Sequence, residues 1–402
     1  MRRRPRSLLL LPLFFSPGSP LSTRGVSSDL IRVVASDVDG TLLNSQGMLS
    51  ARTAAAIRRV QAAGAPFIVA TGKCRAGALA ALGAADSSMS TELEELPGVF
   101  TNGLQVFQSD GRLAWQALLE PSTVSLVEDW ARERFDLVAY SGDRLLTTQR
   151  TARTDELHLR YREPNPEVHP SLAAMAARAK QRRGGSDSSD SSGGSDNSAN
   201  SESSGGGSGS VHGGMEDIGS DTASINKILV LGEPERLLEA RPALEEALTL
   251  NAATSDSAAQ AGDSGGGSQG SQGASLTVAM PQMLEVLPPG CSKGDGLRRL
   301  LELEGFAIPS RVSPPPGGYI RPGGGQVEGL LSMGDAENDL GMLGMSATGV
   351  AMGNAAETAV LTAARDLQTR SNDDDGAARV LEALVEVAFS RSALEDAIRM
   401  GL

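Results

Sequence analysis

Two aspartates, Asp37 and Asp39, stand one residue apart at the end of the short apolar run VVAS. A buried carboxylate is costly unless a cation meets it, and two neighbouring carboxylates repel each other. A shared divalent cation removes both difficulties, and Mg²⁺ prefers carboxylate oxygens as ligands. The pair therefore predicts a magnesium site at the end of a buried strand, where Asp37 can attack phosphorus and form an aspartyl-phosphate.

The second aspartate suits a different task in the same reaction. In extended chain, a residue two positions after Asp37 points to the same side, which places Asp39 next to the nucleophile. Asp39 can then give a proton to the leaving alcohol and later take one from the water that cleaves the intermediate. Gly40 allows a sharp turn beside the phosphate.

More polar residues follow later segments that we predict to be strands, and ligands bind at the carboxyl ends of strands in such sheets. Asp335 is the best further metal ligand, and Asp339 is expected to support it directly or through water. Lys293, at a predicted helix start, can balance charge in the transition state, and Thr71 can donate to a phosphoryl oxygen. The candidate phosphate-binding or substrate-binding residues are Thr71, Gly72, Lys73, Asn102, Gly103 and Asn338.

From Ile31 onward, apolar strand patterns alternate with helical patterns. This alternation predicts a doubly wound, Rossmann-like parallel sheet with helices on both faces. One helix is expected to begin after the N-cap Ser50 and to stop at Gly64. A hairpin is expected around the turn at residues 109–112.

The domain organisation follows from where these patterns change. We predict a core domain made of residues 29–110 and 283–390, with an inserted α/β cap at 111–282. Within the cap, residues 184–214 and 251–274 are rich in Ser, Gly and Asp and are predicted to be disordered. Residues 391–402 are predicted to be a C-terminal tail. Residues 1–28 are basic, free of acids and Ser/Pro-rich, so they are either a targeting segment or a disordered terminus.

Composition narrows the possible partners. The net charge of -13 opposes long-range attraction to nucleic acid. No apolar run is long enough to span a membrane. Three scattered histidines and two cysteines, Cys74 and Cys291, exclude a zinc cage and a disulfide framework.

The cysteines could form a redox-sensitive pair or act as small buried hydrophobic residues. We expect the protein to be located in an organelle, with the cytoplasm or secretion as alternatives. The sequence does not predict the oligomeric state.

Four segments, DVDGTLL, IVATGK, SKGDGL and GDAEND, resemble in order and spacing the four motifs of the haloacid dehalogenase superfamily. The segments TNGLQVF and GVAMGNAAETA look like those of its Cof-type hydrolases. The resemblance implies a phosphatase that needs Mg²⁺, acts on small phosphorylated metabolites and carries a large α/β cap between the second and third motifs. Those metabolites would be sugar phosphates, nucleotides, or flavin or pyridoxal phosphates.

When the residue roles of the family are carried over by position in its motifs, the resemblance implies that Asp37 is the nucleophile and Asp39 the acid and base. Asp37, Asp335 and the carbonyl group of Asp39 would hold Mg²⁺. Thr71 and Lys293 would bind phosphate, and Asn338 would orient the phosphate or Lys293. Lys73 replaces the arginine usual in the family, which keeps the charge but loses the planar two-pronged grip.

The same motifs are compatible with two rival functions. A phosphotransferase or phosphomutase would use the same aspartyl-phosphate but pass the phosphoryl group to a sugar hydroxyl instead of water. A binding protein would keep the motifs as a relic without turnover.

Overall fold

The structure is a computed structural model, which describes residues 29–84, 97–186, 221–260, 273–306 and 326–401. The predicted N-terminal segment 1–28 therefore lies outside the described residues. The strands are β1 Val33–Ser36, β2 Phe67–Ala70, β3 Gly98–Phe100, β4 Gln105–Phe107, β5 Leu113–Gln116, β6 Asp136–Ser141, β7 Arg144–Thr147, β8 Glu167–Val168, β9 Lys227–Leu231, β10 Ser275–Met280, β11 Met283–Leu287, β12 Val327–Gly334 and β13 Ser346–Ala351.

The α-helices of the described residues are α1 Ala51–Ala62, α2 Arg75–Gly83, α3 Pro121–Ala131, α4 Ala152–Leu159, α5 Leu172–Ser186, α6 Pro234–Gln260, α7 Lys293–Leu303, α8 Leu340–Met345, α9 Thr358–Ala363, α10 Gly376–Glu386 and α11 Arg391–Arg399. Short 3₁₀ turns cover Thr101–Gly103, Glu337–Asp339 and Asn372–Asp374.

The core sheet has seven strands in the order β13-β12-β1-β2-β3-β4-β5. Pairing is parallel from β13 to β3 and antiparallel for β4 and β5. Side chains alternate between the two faces of a strand, so Val34 joins one apolar cluster and Val33 the other. Helices α1, α10 and α11 cover the first face, and α7 and α8 cover the second. The predicted doubly wound fold is confirmed.

Two local predictions in the core are also confirmed. Ser50 caps α1, and its hydroxyl accepts from the amide of Thr53 at 3.0 Å. The helix ends just before Gly64, whose φ of +91° lies in the region that favours glycine. Strands β4 and β5 form the expected hairpin around Gly111.

A second sheet forms the cap, with six strands in the order β10-β11-β9-β6-β7-β8. Helices α3, α5 and α6 pack on one face through an apolar cluster that includes Val127, Met175 and Leu244. Both predicted cap boundaries need correction. Strand β5 pairs in the core sheet, so the insertion begins after Gln116 rather than at residue 111. Strand β11 pairs with β9 and β10, so the insertion ends at Leu287 rather than at 282.

Parts of the two low-complexity stretches that we predicted to be disordered are helical. Helix α6 continues to Gln260, which makes residues 251–260 helical, and α5 includes residues 184–186. The remaining parts, except 273–274, lie outside the described residues. Within the described parts of the chain, none of the helices is long and apolar enough to cross a membrane.

The predicted C-terminal tail is largely a packed helix. Helix α11 buries Leu394 and Ile398 against the core. Its start is tied to the beginning of the described chain, because Asp29 accepts hydrogen bonds from Ser390 at 2.8 Å and Ser392 at 3.0 Å. The short sequence pattern of α11 did not reveal this packing, since Asp29 lies 361 residues before Ser390 in the chain.

We expect Leu394→Ala to lower the free energy of unfolding by about 2–5 kcal/mol, because it leaves a cavity in the core. Leu303→Ala is the matched control, since Leu303 is 49% exposed and Leu394 is fully buried. Denaturant unfolding of both variants measures the difference. Equal losses would show that α11 does not pack on the core.

Candidate active site

The end of β1 places the first aspartate against the end of β12. The amide of Asp37 donates to the carbonyl oxygen of Met333 at 3.1 Å. The chain then turns, with the amide of Leu42 donating to Val38 at 3.0 Å. This turn replaces the extended chain assumed from the sequence. Gly40 has a φ of +73°, and a Cβ there would lie 2.3 Å from Oδ2 of Asp335, so only glycine fits.

Three carboxylates meet at this point. Asp37, Asp335 and Asp339 each offer an oxygen, and these oxygens lie within 4.8 Å of one another. Nζ of the buried Lys293, at the start of α7, lies 2.8 Å from Oδ1 of Asp37 and 2.6 Å from Oδ1 of Asp339. The structure thus brings together residues that are up to 302 positions apart in the sequence.

One ammonium does not balance this group of carboxylates. Burial, with Asp339 and Asp335 nearby, raises the pKa of Asp37 well above its ordinary value, despite the opposing effect of Lys293. Burial and Asp339 raise the pKa of Asp335 to about 7. Burial disfavours the charged form of Lys293, but Asp339 and Asp37 outweigh it and raise the pKa. The donor set is therefore all oxygen and short of positive charge, which fits a hard divalent cation.

The three carboxylates differ in how they are already engaged. Both oxygens of Asp339 are used, since Oδ1 contacts Lys293 and Oδ2 accepts from the amides of Asp335 and Ala336 at 2.9 and 3.1 Å. Asp339 therefore holds the lysine and the turn, and its predicted role as a metal ligand stays a prediction.

Two residues that hold Asp335 were not singled out from the sequence. The hydroxyl of Thr41 donates to its Oδ1 at 3.0 Å. The amide nitrogen of Asn354 lies 3.3 Å from its Oδ2 and also donates to the carbonyl of Gly40 at 2.9 Å. The sequence did contain a signal for both residues, because Thr41 lies in the segment DVDGTLL and Asn354 lies in GVAMGNAAETA.

Asp39 faces a different cation from Asp37. Its Oδ2 lies 3.3 Å from Nζ of Lys73, which also donates to the carbonyl oxygen of Tyr161 in the cap. Burial disfavours the charged form of Lys73, but Asp39 and Glu163 outweigh it and raise the pKa. Among the described residues, the carboxylate of Asp39 is not part of the three-carboxylate group.

The loops after β2, β3 and β12 are joined by hydrogen bonds. The hydroxyl of Thr71 accepts from the amide of Lys73 at 3.2 Å. The backbone amide of Asn102 donates to the carbonyl of Thr71 at 3.0 Å. The side-chain amide of Asn338 donates to Oδ1 of Asn102 at 3.2 Å. Three predicted phosphate-site segments therefore form one surface beside the carboxylates.

Gly103 lets α7 approach this surface. A Cβ at Gly103 would lie 2.0 Å from the carbonyl oxygen of Ser292, the residue whose hydroxyl caps α7. A Cβ at Gly296 would in turn lie 2.4 Å from the Cα of Gly103. This close packing sets where Lys293 begins its helix. The observed role of Gly103 is therefore packing, and its contact with phosphate stays a prediction.

The cap contributes polar residues that sequence reasoning missed. The carbonyl of Gly72 accepts from Lys227 of β9, and Glu285 of β11 accepts from Asn102. The guanidinium of Arg241 on α6 makes two hydrogen bonds of 3.0 Å to Glu337, beside Asp335. For Lys227 and Glu285, the sequence signal was a charged residue in each of the apolar strand patterns KILVL and MLEVL.

The cysteines do not form a disulfide in the described chain, and both are free. Cys74 is buried, and its thiol donates to Oε2 of the buried Glu163 at 2.9 Å. Burial and Glu163 raise the pKa of this thiol well above its usual range. Burial raises the pKa of Cys291 to about 11. Both thiols are therefore held in the protonated, less reactive form. For Cys74, this agrees with the interpretation that it acts as a small buried hydrophobic residue.

The chain belongs to the haloacid dehalogenase-like hydrolases, because the model of that family matches residues 34–309 and 324–381. The chain is 29% identical over 357 residues to a protein of Arabidopsis thaliana named "Endoribonuclease YBEY, chloroplastic", covering 88% of this chain and 46% of the relative. It is 26% identical over 162 residues to "Phosphatase YwpJ" of Bacillus subtilis strain 168, covering 39% of this chain and 53% of the relative. The chain thus spans about half the length of these curated relatives.

Solved structures show the same fold. A phosphatase of this superfamily from Bacteroides thetaiotaomicron has a TM-score of 0.55 at 19% identity, covering 93% of this chain and 100% of its own. A structure described as a subclass IIB sugar phosphatase has a TM-score of 0.57 at 16% identity, covering 89% of this chain and 99% of its own. At these identities the likeness establishes the fold alone.

We expect Gly103→Ala to destabilise the protein more than Gly290→Ala. Both glycines have positive φ, but a Cβ at Gly290 meets nothing within 4 Å. The control Gly290→Ala should therefore lower the free energy of unfolding by about 1–2 kcal/mol, from backbone strain alone. Gly103→Ala adds a backbone clash and should lower it by about 1–3 kcal/mol more. Denaturant unfolding measures both, and equal losses would contradict the packing role.

Proposed function

We propose that the protein is a phosphatase that hydrolyses phosphate monoesters of small metabolites through an aspartyl-phosphate on Asp37. The observation that carries the proposal is the contact of the buried Asp37 with Lys293 at 2.8 Å, within the group of three carboxylates. Buried carboxylates with perturbed pKa values beside a fixed ammonium are typical of functional sites. Membership of a hydrolase family that consists largely of phosphatases supports the same reaction.

In the first step, an oxygen of Asp37 attacks phosphorus while the bond from phosphorus to the ester oxygen breaks. Asp39 gives its proton to the departing alcohol. In the second step, water attacks phosphorus, Asp39 takes the proton, and inorganic phosphate leaves as Asp37 is regenerated. Lys293 and the hydroxyl of Thr71 stabilise negative charge on the phosphoryl oxygens in both steps.

We propose Mg²⁺ as the cofactor, held by Asp37, Asp335 and the backbone carbonyl of Asp39, with Asp339 acting directly or through water. When bound, Mg²⁺ supplies positive charge that lets an anionic nucleophile approach an anionic substrate. The all-oxygen donor set and the raised pKa values of Asp37 and Asp335 support this assignment.

The substrate classes that we propose are sugar phosphates, nucleotides, and flavin or pyridoxal phosphates. A phosphotransferase would use the same Asp37 chemistry, and transfer between sugars with little free phosphate would identify it. Endoribonuclease activity is not part of the proposal, because the chain spans 46% of that relative and its net charge of -13 opposes binding to a polyanion. An organelle is our proposed compartment, which the chloroplastic relative supports.

We expect Asp37→Asn to reduce kcat by about 10³-fold or more, because an amide cannot form the acyl phosphate. The assay is phosphate release from sugar phosphates, nucleotides, flavin mononucleotide and pyridoxal phosphate in the presence of Mg²⁺. Asp129→Asn on the exposed surface of α3 is the control and should keep full activity. An active Asp37→Asn variant would remove the proposed nucleophile.

We expect Mg²⁺ affinity to rise with pH up to at least about pH 7. The raised pKa of Asp335, about 7, means that the metal-free protein holds a proton at acidic pH. The pKa of Asp37, the other proposed carboxylate ligand, is raised as well. Mg²⁺ must displace the protons that these carboxylates hold, so its apparent affinity should fall by about tenfold per pH unit below 7 for each proton displaced. Calorimetric titration in two buffers of different ionisation enthalpy would detect the released proton. An affinity that does not change between about pH 5 and 8 would contradict this assignment.

A further inference from the structure

An ion pair in the cap rests on a loop of the candidate active site. Lys227 on β9 and Glu285 on β11 are both buried, and Nζ of Lys227 lies 3.1 Å from Oε2 of Glu285. The same Nζ donates to the carbonyl oxygen of Gly72 at 2.8 Å. The pair therefore links the cap to the loop after β2.

From this pair a chain of hydrogen bonds continues into the core. The side-chain nitrogen of Asn102 donates to Oε2 of Glu285. Oδ1 of Asn102 accepts from the side-chain nitrogen of Asn338 at 3.2 Å. Asn338 itself stands between Asp335 and Asp339 in the sequence, so the chain ends beside the carboxylate group.

Glu285 fixes the direction of every hydrogen bond in this chain. An ionised carboxylate only accepts, so Asn102 must turn its nitrogen toward Glu285 and its oxygen toward Asn338. Asn338 must then turn its own nitrogen toward Asn102. Its remaining atom, Oδ1, is buried and accepts no hydrogen bond from the described residues.

The backbone around Asn102 keeps this arrangement in place. Asn102 has a φ of +58°, a conformation that asparagine tolerates better than most residues. A Cβ at Gly72 would lie 3.0 Å from Oδ1 of Asn102, so the absence of a side chain there leaves room for the amide. The backbone therefore holds the side chain of Asn102 within hydrogen-bond distance of both Glu285 and Asn338.

A buried acceptor without a donor is costly, and a ligand that brings a donor removes that cost. A dianionic phosphoryl group carries only acceptor oxygens, so it cannot satisfy Oδ1 of Asn338. A hydroxyl or amine on the leaving group can do so, because Asn338 lies beside the residues that we propose hold the phosphate.

We propose that Glu285 is a specificity-determining residue of the cap that acts through Asn102 to present Oδ1 of Asn338 as an acceptor for a hydroxyl or amine donor on the leaving group. This inference rests on the proposed phosphatase function. It narrows the substrate class to phosphate esters with a hydrogen-bond donor close to the ester oxygen, as in polyols and sugars.

The test compares kcat/KM for glycerol phosphate and propyl phosphate, which share a three-carbon chain and differ in their hydroxyl groups. The wild-type protein should prefer glycerol phosphate by at least about tenfold. Glu285→Gln should reduce this ratio to within about threefold, because glutamine can also donate and no longer fixes the amide of Asn102. The ratio is the decisive readout, since a general loss of structure would lower both rates together.

Two further variants separate the effect of Glu285 from that of a general change in the cap. Glu167→Gln makes the same chemical change in the cap, where Glu167 pairs with Arg144 of the neighbouring strand, and should keep the wild-type ratio. The double variant Lys227→Met with Glu285→Gln avoids a buried unpaired ammonium and should also lose the preference. Thermal unfolding checks that each variant is folded.

Equal wild-type rates contradict the inference, as does a failure to cleave glycerol phosphate by a protein that cleaves other esters. A Glu285→Gln variant that keeps the full preference contradicts it as well. A wild-type protein that cleaves no ester with Mg²⁺ contradicts the proposed function instead.

Discussion

The repulsion among Asp37, Asp335 and Asp339 is the constraint on which the rest of the site depends. Asp37 and Asp339 are buried, Asp335 is half-buried, and among the described residues they meet one ammonium, that of Lys293. Burial first, and then the neighbouring carboxylates, raise the pKa values of Asp37 and Asp335. Backbone amides, hydroxyls and a further cation are the groups that can offset such repulsion. The fold supplies the first two through the turn after β12 and through Thr41.

The cap is tied to the core at several points around this group. Lys73 reaches the carbonyl of Tyr161, Glu285 accepts from Asn102, and Arg241 pairs with Glu337. These contacts come from different cap elements, yet all of them end on loops that follow core strands. A cap held in this way can exclude water from the site and contribute to substrate choice at the same time.

The sequence predicted the core well because short-range patterns encode it. Apolar runs, the Ser50 cap and the aspartate-bearing strand ends all lie within a few residues of what they position. The misplaced cap boundaries have the opposite cause, since MLEVL is an apolar strand whichever sheet it joins. The pairing of Asp39 with Lys73 and the roles of Glu285 and Asn354 depend on contacts between distant segments, which no local pattern reveals.

The most direct measurement of the central claim is reduction by borohydride during turnover, followed by peptide mass spectrometry. Borohydride converts an aspartyl-phosphate to homoserine, which marks the residue that carried the phosphoryl group. The account predicts homoserine at position 37, and only when a cleaved phosphate ester and Mg²⁺ are both present. A protein that turns over substrate without this mark, or that carries it at Asp39 or Asp335, would contradict the account.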